Sequence, residues 1–114
     1  MKPLENRFLQ FSKDVIGLCK QLTPNVISRS LISQLVRAAT SIGANYAESQ
    51  SGVSSKDFRH KVSIAKKESQ ETQYWLQLLG ECYPERNDDF MALLDEAEQI
   101  SKILQTILNK TKST

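Results

Sequence analysis

The residues that could do chemistry lie in the middle of the chain, between large hydrophobic side chains. Arg37, Asn45 and Glu48 are spaced at helical intervals in the segment RAATSIGANYAE. Glu68 and Glu71 belong to the next long segment, IAKKESQETQYWLQLL. Several carboxylates in a helical protein can bind a metal ion or act together as a general acid and a general base. A lone buried carboxylate is costly, so these side chains must be paired or hydrogen-bonded.

Metal chemistry requires more ligands than the sequence supplies. Carboxylate-bridged sites in four-helix bundles combine glutamates with Glu-x-x-His motifs on two helices. The chain has one histidine, His60, near a predicted helix start. Cys19 and Cys82 are more than sixty residues apart, and neither belongs to a Cys-x-x-Cys pair. We therefore predict no metal site, no cofactor, and two reduced, buried thiols.

Catalytic motifs are also missing from the sequence. It contains no glycine-rich phosphate loop and no His-Glu-x-x-His motif, and helical spacing assembles no nucleophile–histidine–acid set. We predict that the protein is not an enzyme. We interpret the central polar residues as a network that fixes helix register and contacts another subunit. The members of this central polar stripe are Arg37, Ser41, Asn45, Glu48, Glu68, Glu71 and Trp75.

Positive charge is concentrated in the first part of the chain. Residues 1–67 contain 11 Lys/Arg and 4 Asp/Glu, whereas residues 68–114 contain 4 and 9. Phosphate contacts need cations but no base-specific readout, so a basic run is a candidate nucleic-acid surface. A solvated helix face and internal charge neutralisation are the alternatives. The candidate residues are Lys56, Arg59, Lys61, Lys66 and Lys67.

The elements that carry these residues follow from the spacing of hydrophobic side chains. Apolar residues recur every three or four positions in four segments, the period of helices packed in a left-handed bundle. Gly and Pro are scarce, at 4 and 3 residues, as expected for long helices. We predict one domain over residues 1–114. Its helices are predicted at about residues 4–22, 26–49, 55–83 and 88–109.

Short turns between the four segments predict an all-α, antiparallel up-down-up-down four-helix bundle. Ser54, followed by Asp57, resembles a capping box for the third helix, and Asn87 is a candidate N-cap for the fourth. The second and third helices each carry a second apolar stripe. We expect these extra stripes to contact something beyond the intramolecular core, such as another copy of the chain.

No segment of the sequence suggests a membrane. The apolar runs fall well short of the roughly 20 residues that span a bilayer. The start, MKPLENRFLQF, lacks the apolar region of a signal peptide. We expect a cytoplasmic protein.

Two blocks in the central segments follow a pattern known from one protein family. The first comprises Arg37-Ala38-Ala39, Ser41-Ile42 and Asn45-Tyr46-Ala47-Glu48. The second comprises Ser54, Asp57-Phe58, Ile64-Ala65, Lys67-Glu68, Glu71-Thr72 and Tyr74-Trp75-Leu76. Together they resemble a bacterial family of small four-helix-bundle proteins, first noticed in intervening sequences of 23S ribosomal RNA genes. In length and order the resemblance covers almost the whole chain.

The resemblance implies a bundle that assembles into a ring, typically a homopentamer. The family has no established molecular function. A similar bundle is the accessory protein of diversity-generating retroelements, a ring that binds reverse transcriptase and nucleic acid. The chain departs from the family pattern at one loop. Ser49 follows Glu48 where many members have Gly, and the loop SQSGVSS contains no Arg. This departure weakens the expectation that the chain shares the basic loop of those members. We expect a homo-oligomeric scaffold that binds RNA or DNA, or alternatively an accessory subunit that binds a partner protein without touching nucleic acid.

Overall fold

Four α-helices account for most of the computed structural model, which describes residues 2–111. Their bounds are Pro3–Gln21 for α1, Ser28–Gln50 for α2, Ser55–Cys82 for α3 and Asn87–Lys110 for α4. A short 3-10 turn, Pro84–Arg86, connects α3 to α4. The ends of the predicted domain, residue 1 and residues 112–114, lie outside the described residues.

The helices run antiparallel in chain order around one core, which confirms the predicted fold class. Each helix packs against the next, and α4 closes the bundle against α1. The pair α2–α3 has the most extensive contact, and α1–α4 has the least. The molecule measures 48 × 23 × 19 Å. Within the described residues, none of the helices is both long and apolar enough to cross a membrane.

The core is built from the apolar stripes that the sequence predicted. Each helix buries one face, and side chains from all four helices meet with essentially no solvent exposure. Burial of one large apolar side chain contributes roughly 1.5–3 kcal/mol, so this core holds the bundle together. The largest fully buried hydrophobic side chains are Phe8, Phe11, Val15, Leu35, Ile42, Val62, Leu76, Leu79, Ile100 and Leu104.

Helix α2 approaches α1 closely at Gly43. A Cβ atom at Gly43 would lie 3.4 Å from the Cβ of Phe8 and 3.8 Å from the backbone nitrogen of Leu9. The missing side chain therefore brings the two helix backbones together. A groove on the outer surface between α1 and α2 is lined by Leu9 and Ile16 of α1 and by Gly43 and Ala44 of α2.

Buried hydroxyl groups tie the turn between α1 and α2 to the end of α3. The Tyr83 hydroxyl donates to the carbonyl oxygen of Thr23 at 2.8 Å and lies 2.8 Å from the Ser28 hydroxyl. The Ser28 oxygen accepts from the backbone N–H of Asn25. Since the single Tyr83 proton is used on Thr23, the Ser28 hydroxyl donates to Tyr83. These buried groups satisfy one another and fix this end of the bundle.

Helix starts were predicted with mixed success. Ser54 caps α3 as predicted, accepting from the backbone N–H of Asp57 at 3.1 Å. Helix α2 begins at Ser28 instead of residue 26, because the Asn25 side-chain oxygen holds the preceding residues in a turn. The prediction for Asn87 was wrong. Asn87 is the first residue of α4 and Arg86 is the N-cap, since the 3-10 turn leads directly into the helix.

Candidate functional site

The central polar stripe lies on the outer surface where α2 meets α3, outside the hydrophobic core. Arg37 Nη1 is 3.4 Å from both carboxylate oxygens of Glu68. Arg37 Nη2 is 3.2 Å from Oε1 of Glu71. The Arg37 side chain is 49% exposed, whereas that of Glu68 is only 13% exposed. One guanidinium on α2 thus neutralises two carboxylates on α3.

The other α2 members of the stripe bond locally or to the start of α3. Ser41 donates to the carbonyl oxygen of Arg37 at 2.7 Å, and Asn45 donates to that of Ser41 at 2.8 Å. Both side chains therefore bond to their own helix backbone. Glu48 forms a 2.6 Å ion pair with Lys61. The ion pairs join α2 to α3 at two levels, and the predicted contact with another subunit stays a prediction.

Trp75 lies on α3 and packs against the hydrophobic core as a half-buried residue. Its ring meets Tyr74 edge to face, with centroids 5.2 Å apart and planes at 75°. The indole Nε1 is buried and has no acceptor within residues 2–111. An unsatisfied buried donor costs roughly 1–3 kcal/mol. Trp75 therefore contributes apolar packing, and its N–H takes no part in the Arg37 ion pairs.

Replacing Arg37 by alanine should lower the free energy of unfolding by about 1 kcal/mol, because Arg37 is 49% exposed and water screens its charge in both ion pairs. Urea unfolding measures this change, and Lys67→Ala, an exposed cation without an ion pair in the described residues, is the matched control. A loss above about 3 kcal/mol would contradict this screening and indicate that Glu68 is left as a buried charge without a partner.

If Arg37→Ala and Glu71→Ala leave both oligomer mass and melting temperature unchanged, the stripe has no role in assembly.

The α3 carboxylates of the stripe are occupied by ion pairs. Glu68 and Glu71 are both engaged by Arg37. No group of three or more His, Cys, Asp or Glu side chains in the described part of the chain could hold a metal ion. His60 is exposed, and Cys19 is a free, partly buried thiol. Burial raises the pKa of the Cys19 thiol, which keeps it protonated and poorly reactive at neutral pH.

The structure separates the five residues of the predicted basic run. Arg59 Nη1 donates to the Leu108 carbonyl at 2.7 Å and to the Thr111 hydroxyl at 3.0 Å, so this cation stabilises the C-terminal end of α4. Lys61 is held by Glu48. The other three have no ion pair within residues 2–111 and remain available to a ligand. They are the exposed Lys56 and Lys67 and the half-buried Lys66.

The antiparallel fold also sorts charge along the length of the bundle. The half that contains the α2–α3 loop, residues 2–12, 39–68 and 99–111, has nine Lys/Arg and four Asp/Glu. The opposite half, residues 13–38 and 69–98, has five Lys/Arg and nine Asp/Glu. We call these the basic half and the acidic half. Lys2, Lys102 and Lys110 join the α3 lysines in the basic half only because the helices alternate in direction.

Comparison with known proteins agrees with this architecture. A family model described as 23S rRNA-intervening sequence protein matches residues 5–106. No curated protein matches the chain. A similar solved structure is a protein of unknown function from the S23 ribosomal protein family of Bacteroides thetaiotaomicron, with 30% identity and a TM-score of 0.81. The match covers 91% of this chain and 96% of that one. Neither match indicates a catalytic family.

Proposed function

Because the chain belongs to the 23S rRNA-intervening sequence protein family, we propose that it is a non-enzymatic scaffold that binds nucleic acid through its basic half. In this proposal, copies of the chain assemble in the cytoplasm into a ring, with five copies as the family resemblance implies. The observation that carries the nucleic-acid part is the sorting of charge, with nine cations against four anions in the basic half.

Two exposed lysines on α3 are the main candidates for phosphate contacts in the basic half. Lys56 and Lys67 are eleven residues apart on α3, so about three helical turns place them on one outward face about 16 Å apart. Both side chains are free of intramolecular ion pairs in residues 2–111. Phosphate contacts of this kind release counterions and bind without base-specific readout. Repetition in an assembly would multiply the number of such contacts.

The test is an electrophoretic mobility shift with structured RNA and single-stranded DNA at low salt, together with light scattering on a sizing column. We expect retardation, with a dissociation constant of roughly 10⁻⁴–10⁻⁶ M at physiological salt. We also expect a mass that is a multiple of 12.9 kDa. No retardation at about 50 mM salt would contradict the nucleic-acid proposal, and a mass of one chain would contradict assembly.

A second candidate function is a protein-binding accessory subunit without affinity for nucleic acid, for example of a reverse transcriptase. The engagement of Arg59 by α4 and of Lys61 by Glu48 favours it, because both remove cations from the candidate surface. An assembled protein that retards neither RNA nor DNA, yet binds a purified reverse transcriptase in a pull-down, would support this alternative over the first.

A further inference from the structure

The outer face of α1 carries apolar side chains that the bundle leaves partly uncovered. Leu9 and Ile16 are 41% and 40% exposed, respectively. Both line the groove between α1 and α2, whose opposite wall includes the small residues Gly43, Ala44 and Ala47. The seven-residue spacing places Leu9 and Ile16 two turns apart on one face. The groove therefore has room for an apolar side chain from outside the molecule.

Opposite charges flank this apolar pair at equal distances. Glu5 lies four residues before Leu9, and Lys20 lies four residues after Ile16. All four residues fall within about 60° of the α1 circumference, given 100° per residue. Neither Glu5 nor Lys20 forms an ion pair with another described residue. Glu5 lies near the buried Tyr46 phenol, whose pKa is raised by burial and by the Glu5 charge.

The order of these side chains is self-complementary. When two antiparallel copies of α1 are related by a two-fold axis that passes between residues 12 and 13, Glu5 of one copy faces Lys20 of the other, and Leu9 faces Ile16. We propose that the outer face of α1 docks against the same face of a second copy of this chain, with the two α1 helices antiparallel. Each Ile16 then enters the other copy's groove over Gly43, and each Glu5 faces the other copy's Lys20. This is an isologous contact, in which one surface serves both partners.

The charge pattern favours a second copy of the chain over a partner whose charges are all of one sign. A purely acidic or purely basic partner would meet a like charge at one end of the stripe, whereas the reversed stripe meets opposite charges at both ends. The two Lys13 side chains lie near the axis and oppose the contact, so the pairing is weak and concentration-dependent. This contact rests on the self-association proposed above. Because a two-fold contact closes on itself, it joins two free copies or two rings and does not link neighbours around one ring.

Single-cysteine variants test the geometry in a background that carries Cys19→Ser and Cys82→Ser. Lys13→Cys places the thiol beside the axis and should give a disulfide-linked dimer under mild oxidation. Lys102→Cys, exposed on α4, is the matched control and should cross-link at least tenfold more slowly. Leu9→Cys and Ile16→Cys should cross-link with each other in a mixture faster than either does alone, because an antiparallel pair separates like positions by about 10 Å. Equal rates at Lys13→Cys and Lys102→Cys would overturn the contact.

Charge reversal tests the ion pairs by sedimentation equilibrium. Glu5→Lys and Lys20→Glu should each weaken dimerisation about tenfold, because each places like charges together twice per dimer. Mixing the two variants, or combining them in one chain, should restore wild-type affinity, since opposite charges then meet again. If the protein assembles but shows neither this rescue nor selective cross-linking, the α1 contact is wrong and the proposed self-association still holds. A protein that keeps the mass of one chain at every concentration overturns both the contact and the proposed self-association.

Discussion

Replacing Phe8 by alanine should lower the free energy of unfolding by about 3–5 kcal/mol, a large part of the stability of a domain this size. Phe8 is fully buried and meets Tyr46 edge to face, with ring centroids 5.1 Å apart and planes at 86°. Its Cβ also faces Gly43, where α2 lies close to α1. The other side chains of the shared core hold the surrounding helices apart, so these helices cannot collapse onto the cavity and the lost contacts are not recovered.

Urea unfolding followed by circular dichroism measures this loss. The matched control is Leu9→Ala, the next residue on α1, which removes a side chain that is 41% exposed. We expect the control to cost less than about 1.5 kcal/mol, since a partly exposed leucine loses only part of its transfer free energy. A cost below about 1 kcal/mol for Phe8→Ala would contradict the packing of α1 on α2 described above.

The second large effect concerns nucleic acid. Lys56→Glu combined with Lys67→Glu should weaken binding of single-stranded RNA by at least about tenfold at 100 mM salt, because two phosphate contacts are lost and two repulsive charges are added. Both side chains are exposed, so the fold should tolerate the change. Fluorescence anisotropy with a labelled RNA measures the affinity, and circular dichroism checks that the helices persist.

The matched control changes three residues of the acidic half, Arg29→Glu with Gln34→Glu and Gln77→Glu, and so changes the net charge by the same amount. All three residues are exposed, and none belongs to the α1 contact proposed above. If binding depends on the basic half, this control should weaken affinity by less than about threefold, through long-range charge alone. Equal losses in both variants would show that RNA responds to net charge and that the basic half is not the binding surface.

The sequence predicted most of the fold because the periodic spacing of apolar residues, which marks the face that a helix buries, can be read from each segment alone. The α1 stripe from Phe8 to Leu22 is buried throughout, as its spacing indicated. Ser54 could be assigned as a cap since its partner, the Asp57 N–H, is three residues away. Asn87 could not be assigned correctly, because the 3-10 turn before it depends on how α3 and α4 meet.

The candidate site was harder to predict, because its partners come from distant parts of the chain. The basic run was predicted from the spacing of its cations along one helix, but Arg59 bonds to Leu108 and Thr111 at the far end of α4. Lys61 is likewise paired with a residue of α2. Spacing along one helix cannot reveal such contacts. The ion pairs of the central stripe depend on the register of α2 against α3, which the sequence does not give. This register places Arg37 between Glu68 and Glu71.

The most direct test of the proposed function is the affinity of the wild-type protein for a labelled single-stranded RNA, measured at several salt concentrations. If Lys56, Lys66 and Lys67 contact phosphates, the logarithm of the association constant should fall linearly with the logarithm of salt concentration. Three contacts on a single strand predict a slope of about −2, and a ring that engages several copies predicts a steeper one. Absence of binding at about 50 mM salt, or an affinity unchanged up to about 200 mM, would contradict the proposal.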